Sequence, residues 1–261
     1  EKFIQELAWR DYWQHLWIAK GDSINKDLKN KQTPVSNNSI SKVIVEGKTN
    51  IIAVDKAIKQ FYRTGYLHNH LRMYIASIAC NVANSHWKVP AKWMYYHLRD
   101  ADWASNALSW QWVAGANSNK KYIANQDNIN KYCLTNQKKS FLDVSYEDLN
   151  KLEIPEIFKN TPIIELRTPL PKQKEIIINE TLPICIYNFY NLDPLWKKNE
   201  LANRVLLLEP SHFEQYPVSQ KTIEFIINIA KKNIPNIKIY VGEFNILKTT
   251  YISIKIYYKE H

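Results

Sequence analysis

Residues 65–112 read GYLHNHLRMYIASIACNVANSHWKVPAKWMYYHLRDADWASNALSWQW, and this stretch decides the fold of the first part of the chain. It contains a helix predicted to begin near His68, on which two sets of residues recur at helical spacing. The first set is apolar and predicts core packing: Leu71, Ile75, Ile78 and Val82. The second set predicts one wall of a buried polar pocket: Asn69, Arg72, Met73 and Ala76.

More helices are predicted on both sides of this one. Apolar residues at helical spacing predict helices over residues 2–19, 51–65, 91–99 and 101–113. Gly21, Gly65 and Gly115 are expected to end helices, and Pro90 to begin one. Residues 20–47 are rich in Asn, Lys and Ser and predict a mostly exposed connection. Residues 1–140 are therefore predicted to form an all-helical domain.

The second part of the chain has a different pattern. Residues 141–180 contain several prolines, which continue neither helices nor central strands, and predict a connector. Short apolar runs then predict strands over Ile184–Tyr187, Val205–Leu208 and Ile237–Val241, with an amphipathic helix over Thr222–Lys232. Strand, helix and strand in this order predict a small, parallel, Rossmann-like α/β domain over residues 181–261. It has no Gly-rich phosphate fingerprint, so we expect no dinucleotide site there.

Charge is unevenly distributed along the 261 residues. Residues 1–140 hold 20 Lys and Arg against 10 Asp and Glu, whereas residues 141–261 hold 15 against 15. A basic domain beside a neutral one favours a polyanion such as DNA as partner. The alternative, that the charge only keeps the protein soluble, is equally compatible with composition.

Other classes of protein are disfavoured by what the sequence lacks. It has no run of 18 apolar residues and no secretory leader, so we expect a cytoplasmic protein without a membrane anchor. Cys80, Cys133 and Cys185 are widely separated and too few for a four-cysteine cluster, so no metal is expected. The chain begins at Glu1 inside a predicted helix, and we expect an upstream segment.

Asp100 and Asp102 stand out within a helix of aromatic and small residues. Buried acids need partners, and Arg72 is available from the neighbouring helix. The pattern is compatible with a structural ion pair at a helix start as well as with a ligand site. Asp102, Asn106 and Trp110 are spaced i, i+4, i+8, so one helix face can present all three to a ligand.

These residues resemble the flavin-binding helical domain of the DNA photolyase and cryptochrome family. The shared pattern is Gly-aromatic-x-His-Asn-x-x-Arg-Met, a downstream Trp, and Asp-x-Asp-x-x-x-Asn-x-x-x-Trp-x-Trp. The resemblance implies FAD as cofactor, with Arg72 paired to Asp100 and Asn106 facing the reactive flavin nitrogen. It also implies FAD-binding roles for Arg10, Asn69 and Asp102. The segment that holds the flavin phosphates in relatives would lie before Glu1.

The first helix extends the resemblance to a substrate site. QELAWRD at residues 5–11 matches the family's Glu-x-x-Trp-Arg helix. This implies that Glu6 bonds damaged pyrimidines and that Trp9 and Trp112 stack on them, with Met73 completing the pocket. Asn69 stands where relatives that act on six-four photoproducts have His, which favours cyclobutane dimers. The ordinary alternative is that Glu6 is a solvated charge and Trp9 a core residue.

The family's electron relay is matched only in part. Trp110 and Trp87 correspond to its inner and middle members, although a Trp on a helix is usually core packing. No Trp stands near Pro34, where the outer member is expected. Light-driven flavin reduction is therefore expected to be slow or to use a substitute donor such as Trp13, Trp17 or Trp93.

Taken with the resemblance, the residues predict a light-dependent FAD flavoprotein, a carbon–carbon lyase that repairs cyclobutane pyrimidine dimers in ultraviolet-damaged DNA. His70, which replaces a common Arg, and the incomplete relay favour an alternative: a cryptochrome-like photoreceptor or flavoprotein without repair. A third interpretation is a flavin-free, basic, helical module that binds nucleic acid. A flavin absorption spectrum separates the third from the other two.

Overall fold

The computed structural model describes residues 1–149 and 151–259. They belong to two compact units, Glu1–Glu165 and Leu166–His261. The boundary between the units falls inside the predicted connector over residues 141–180. None of the described helices is both long and apolar enough to cross a membrane.

The first unit is helical, as predicted. Its α-helices are α1 Lys2–Lys20, α2 Lys42–Val45, α3 Ile52–Thr64, α4 Asn69–Ser77, α5 Lys88–His97, α6 Trp103–Ala114, α7 Gln126–Cys133 and α8 Tyr146–Leu149. A π-helix over Ile78–Val82 continues α4, and short 3-10 helices cover Gly21–Asn25 and Glu156–Phe158. The apolar stripe predicted on α4 and its continuation is buried at Ile75, Ile78 and Val82.

Three glycines, Gly21, Gly65 and Gly115, end α1, α3 and α6 as the sequence predicts. Gly65 after α3 and Gly115 after α6 have φ angles of 70° and 82°, in the left-handed region that side chains disfavour. The Gly65 N–H donates to the Phe61 carbonyl at 2.7 Å. A Cβ at Gly65 would lie 2.6 Å from Arg99 Cγ, so both its backbone angle and its surroundings require glycine.

Helix α6 is the centre of the first unit. Nearly all of its residues are buried, including Trp103, Leu108, Trp110 and Val113. A helix that is apolar on every side is buried in a core, because no polar face remains for water. Helices α1, α4 and α5 pack around it. Polar residues on α6 that lie between these neighbours are therefore held away from solvent.

The second unit contains a parallel sheet with strand order β3-β2-β1-β4. Its elements are β1 Ile184–Tyr187, β2 Asn203–Leu208, α9 Pro210–Gln215, α10 Gln220–Asn233, β3 Lys238–Val241, α11 Phe244–Thr250 and β4 Ile256–Tyr258. Ile184 on β1 lies between Asn203 on β2 and Ile256 on β4. The α/β prediction is confirmed, but β4, α9 and α11 were not predicted because three to seven residues show too little periodicity.

One histidine in the second unit is held in an aromatic environment. His212 on α9 contacts Phe189, Tyr190, Phe213 and Tyr216, with ring centroids 5.1 to 6.4 Å apart. Its Nε2 is buried and has no hydrogen-bond partner among the described residues. Burial disfavours the charged imidazolium and lowers the pKa of His212 to about 4.

This histidine predicts an acid-sensitive second unit. Between pH 6.5 and about 4 the His212 imidazole is protonated in the unfolded chain but not in the folded one. The free energy of unfolding therefore falls as the pH falls. The total loss is up to about 3 kcal/mol. Hydrogen exchange of the β2 amides, corrected for intrinsic rates, measures it in wild type and in His212→Phe. An equal loss in the variant would show that other groups cause the acid sensitivity.

Candidate functional site

A cavity of about 520 Å³ opens in the first unit between residues of α1, α4, α5 and α6. This volume lies within the range of small-molecule sites, about 300–1,000 Å³. Every site residue predicted from sequence lines it except Trp87: Glu6, Trp9, Arg10, Asn69, Arg72, Met73, Asp100, Asp102, Asn106, Trp110 and Trp112. Residues more than 100 positions apart in the chain therefore meet at one surface.

Several lining residues were not predicted as part of the site. They are Met94, Leu98, Ser105, Ser109 and Val113, whereas Ala76 lines the cavity as its helical spacing predicts. Trp13, named only as a substitute electron donor, also lines the cavity. Helical spacing could have found Ser109, three residues beyond Asn106, and Val113, three beyond Trp110. Met94 and Leu98 are ordinary apolar residues in sequence, and only their packing brings them to the cavity.

Asp102 is the most fully bonded group of the site. It is the N-cap of α6, and its Oδ1 accepts a hydrogen bond from the Ser105 N–H at 2.9 Å. Its Oδ2 accepts from Arg10 Nε at 3.0 Å and from Gln14 Nε2. Only 4% of its side chain is exposed, against 49% for Arg10. Asp102 thus ties α1 to the start of α6, and both of its oxygens already have protein partners.

The predicted contact between Arg72 and Asp100 is present. Arg72 Nη2 lies 3.0 and 3.2 Å from the two oxygens of Asp100, and Arg72 Nε donates to the Leu67 carbonyl at 2.9 Å. The expectation that this pair is buried is wrong, because 27% of the Arg72 side chain and 56% of the Asp100 side chain are exposed. Asp100 lies in the turn before α6, at the rim of the cavity, and water screens its charge.

Asn106 and Trp110 lie deeper on α6. Asn106 is 8% exposed and donates from Nδ2 to the Ala91 carbonyl at 2.8 Å, which fixes the orientation of its amide. Trp110, one helical turn later, is 2% exposed. Both line the cavity with Asp102, as the i, i+4, i+8 spacing predicts.

Aromatic rings stand at the mouth of the cavity. Trp9 and Trp112 are 51% and 42% exposed although both line it. Trp9 stacks on Trp13 with centroids 5.7 Å apart, and Trp112 tilts against Tyr122 at 5.9 Å. Each exposed indole is thus supported on one side by another ring and leaves apolar surface to water.

The rings of His68 and His70, the residues on either side of Asn69, lie together rather than on opposite sides of α4. Their rings stack with centroids 5.3 Å apart and an interplanar angle of 6°, and His70 also stacks on Tyr132 at 4.8 Å. His68 is the N-cap of α4 and has extended backbone angles, so the 100° per residue of a helix does not apply to it. Its Nδ1 accepts from the His70 N–H at 3.3 Å.

Trp87 lies away from the cavity. It is fully buried, its Nε1 donates to Asp27 Oδ1 at 2.8 Å, and its backbone N–H donates to Gln32 Oε1 at 2.9 Å. Trp93 is also buried outside the cavity lining, and its Nε1 donates to the Tyr62 hydroxyl at 3.0 Å. Asp27 and Gln32 belong to the segment read as an exposed connection, and these bonds give that segment a structural role.

Comparison with known proteins identifies the family of the first part of the chain. The family described as the FAD binding domain of DNA photolyase matches residues 3–165, which is more than half of the chain. The chain belongs to the DNA photolyase family. Its first unit is accordingly an FAD-binding domain.

Individual relatives share less than a third of their aligned residues with this chain. A deoxyribodipyrimidine photo-lyase of Vibrio cholerae is 32% identical over 117 residues, 43% of this chain and 25% of the relative. One of Buchnera aphidicola is 26% identical over 197 residues, 73% of this chain and 39% of the relative. A bacterial class III photolyase from Agrobacterium tumefaciens aligns with a TM-score of 0.42 and 22% identity, over 57% of this chain and 40% of its own. The chain thus corresponds to less than half the length of each.

The residues of the cavity fit a flavin ring system. The volume is sufficient, the walls are mostly apolar, and a few polar groups converge on it, as small-molecule sites require. The lining residue Ser105 also has a hydroxyl that is buried and lacks a partner among the described residues. No group of three or more His, Cys, Asp or Glu that could hold a metal occurs in residues 1–149 and 151–259.

The different surroundings of the two aspartates predict different costs of removal. Asp100→Ala breaks an exposed ion pair and should lower the unfolding free energy by less than about 1 kcal/mol. Asp102→Ala removes a helix cap and two side-chain hydrogen bonds and should cost about 2–3 kcal/mol. Urea unfolding followed by tryptophan fluorescence measures both.

Asp102→Asn provides the matched control, because Asn also caps helices but cannot pair with Arg10 as an anion. It should recover about 1 kcal/mol of the loss. If Asp100→Ala were as costly as Asp102→Ala, the exposed pair would be the main structural contact of the site.

Proposed function

We propose that this protein is a light-dependent FAD flavoprotein that repairs cyclobutane pyrimidine dimers in DNA. The observation that carries the proposal is a single cavity with buried polar groups on α6 and exposed indoles at its mouth. Such a cavity offers an inner region for a cofactor and an outer one for a flat substrate. Membership of the DNA photolyase family supports the same assignment.

FAD would be held by the inner polar groups. Asn106 would meet the flavin ring with an amide that the Ala91 carbonyl already orients. The Arg72 and Asp100 pair would contact the ring from the rim, and Asn69, Arg10 and Asp102 would complete the binding set. When bound, FAD supplies the light-driven one-electron chemistry that opens the cyclobutane ring. The protein contributes orientation and exclusion of water.

A dimer extruded from DNA would occupy the outer region. Trp9 and Trp112 would stack on its bases, since their exposed indoles bury apolar surface when a flat ring covers them. Glu6 is exposed beside them and accepts hydrogen bonds as a carboxylate. Asn69 and Met73 would form the remaining wall, and the amide of Asn69 supports the cyclobutane dimer as the lesion.

The partner in this proposal is ultraviolet-damaged DNA. The excess of 10 positive charges in residues 1–140 would neutralise backbone phosphates and release counterions. Affinity is then expected to fall as the salt concentration rises, for damaged and undamaged DNA alike.

A cryptochrome-like photoreceptor without repair activity is the second candidate. The arrangement of His70 favours it, because this ring is stacked between His68 and Tyr132 and offers no permanent cation to a phosphate. Both candidates predict a bound flavin with absorption near 450 nm, so the spectrum separates them only from a flavin-free protein. Blue-light repair of an ultraviolet-irradiated oligonucleotide separates them from each other, and its absence overturns the repair proposal.

The outer aromatic wall predicts a binding defect. Trp112→Ala should weaken binding to dimer-containing DNA by about 1–3 kcal/mol, the worth of one stacked base, and leave the flavin spectrum unchanged. Fluorescence anisotropy with damaged and undamaged oligonucleotides measures the difference. Tyr66→Ala is the control, because Tyr66 is 57% exposed and outside the cavity lining. An equal defect in both variants would argue against a stacking role.

The inner tryptophan predicts a separation of photoreduction from repair. Trp110 is the buried indole of the cavity wall, so Trp110→Phe should abolish blue-light reduction of bound FAD. Repair should persist when dithionite supplies the electrons, because it needs only reduced cofactor. Trp103→Phe, a buried change outside the cavity lining and at none of the candidate donors, is the control. Unchanged photoreduction in Trp110→Phe would exclude Trp110 as the donor.

A further inference from the structure

Three aromatic rings stack on one another beside the mouth of the cavity. They belong to His68, His70 and Tyr132, and we call them the aromatic ladder. The ring centroids of His68 and His70 are 5.3 Å apart with an interplanar angle of 6°, and those of His70 and Tyr132 are 4.8 Å apart with an angle of 16°. The ladder therefore joins the start of α4 to α7 through nearly parallel rings.

Hydrogen bonds outside the ladder hold α7 against α4. The buried Tyr74 of α4 donates from its hydroxyl to Asn128 Oδ1 of α7 at 2.9 Å. Asn128 is fixed in turn by its own N–H, which donates to the side chain of the cap residue Asn125 at 3.0 Å. The rings of the ladder are thus positioned before a ligand arrives, and binding to a preorganised surface costs less conformational entropy.

The ladder is open to water. Tyr132 at one end is 52% exposed, and His68 at the other end is also exposed. The Nζ of Lys131 lies 5.4 Å from the centre of the Tyr132 ring and brings a positive charge to the same place. Proteins bind unpaired nucleobases with this combination, in which an aromatic ring stacks on the base and a cation attracts the phosphate backbone.

The place of the ladder in the fold relates it to the candidate lesion site. Asn69 lines the cavity, and its neighbours in the chain are His68 and His70. Consecutive Cα atoms are about 3.8 Å apart, so the ladder begins beside the cavity wall. Extrusion of a pyrimidine dimer leaves two bases of the complementary strand unpaired. The bases that flank the dimer stay paired and stacked, so only the two opposite bases gain a free face.

We propose that the aromatic ladder stacks on one of the two unpaired bases opposite the extruded dimer. Stacking there would offset part of the cost of opening the duplex. Every base has a flat aromatic face, so the contact does not depend on the sequence of the complementary strand. The dimer in this inference comes from the proposed repair function, whereas the stacking itself requires only an unpaired base.

The test is the binding of three fluorescent duplexes to the flavin-loaded full chain, measured by anisotropy. The first duplex contains a cyclobutane dimer, the second has abasic sites opposite that dimer, and the third is undamaged with two adjacent mismatched pairs. Tyr132→Ala should weaken binding to the first and third duplexes about 5- to 100-fold, the effect of one lost stacked base. It should leave binding to the second unchanged, because no base is present there to stack.

Tyr132→Phe is the matched control, because it keeps the ring and removes only the hydroxyl. It should bind all three duplexes as the wild type does. Both variants should retain the flavin spectrum, since Tyr132 is outside the cavity lining. An equal loss in Tyr132→Phe, or a loss in Tyr132→Ala that is the same with and without opposite bases, would overturn the inference.

The mismatched duplex separates this inference from the repair proposal. A wild-type protein that binds the dimer no better than undamaged paired DNA would contradict lesion recognition. The mismatched duplex would still decide the role of the ladder, because it presents unpaired bases without a lesion. Unchanged affinity of Tyr132→Ala for that duplex would show that the ladder does not stack on bases.

Discussion

The site depends on the carboxylate of Asp102. One oxygen closes the first turn of α6, and the other holds Arg10 and Gln14 of α1. A helix N-terminus has unsatisfied N–H groups and a positive end, so an anion is stable there. Because α6 carries Asn106, Trp110 and Trp112 while α1 carries Glu6 and Trp9, this one group aligns the inner and outer parts of the cavity.

Exposure divides the cavity into two kinds of surface. The groups on the inner part of α6 are nearly dry, and each hydrogen bond there gains strength from the low local dielectric. Trp9, Trp112 and the Arg72 and Asp100 pair lie in contact with water, where charges are screened and indoles retain apolar area to bury. The dry inner surface suits a cofactor that stays bound. The outer surface, in contact with water, suits a substrate that binds and leaves.

The second unit is built on a parallel sheet instead of a buried helix. Strands β1 and β2 of its parallel sheet are buried along nearly their whole length, so they appear in sequence as continuous apolar runs. For this reason the sequence predicts β1, which reads ICIY, and β2, which contains RVLLL. The three residues of β4 were not predicted, because their assignment depends on pairing with β1, more than 60 residues earlier.

The sequence by itself determined the helical first unit, the α/β second unit and the family of the chain. Helical periodicity and the glycines at positions 65 and 115 are local properties, and the spacing of Asp102, Asn106 and Trp110 on one helix fixes their common face.

Only the tertiary structure decided which polar groups are dry. Asp100 and Asp102 are two residues apart and look alike in sequence, yet one is 56% exposed and the other 4%. Trp87 and Trp110 matched one pattern but only Trp110 lines the cavity, and Ser105 carried no signal at all. Burial arises from contacts between distant segments, here α1 against α6. A local sequence pattern therefore does not show which side chains such contacts shield from water.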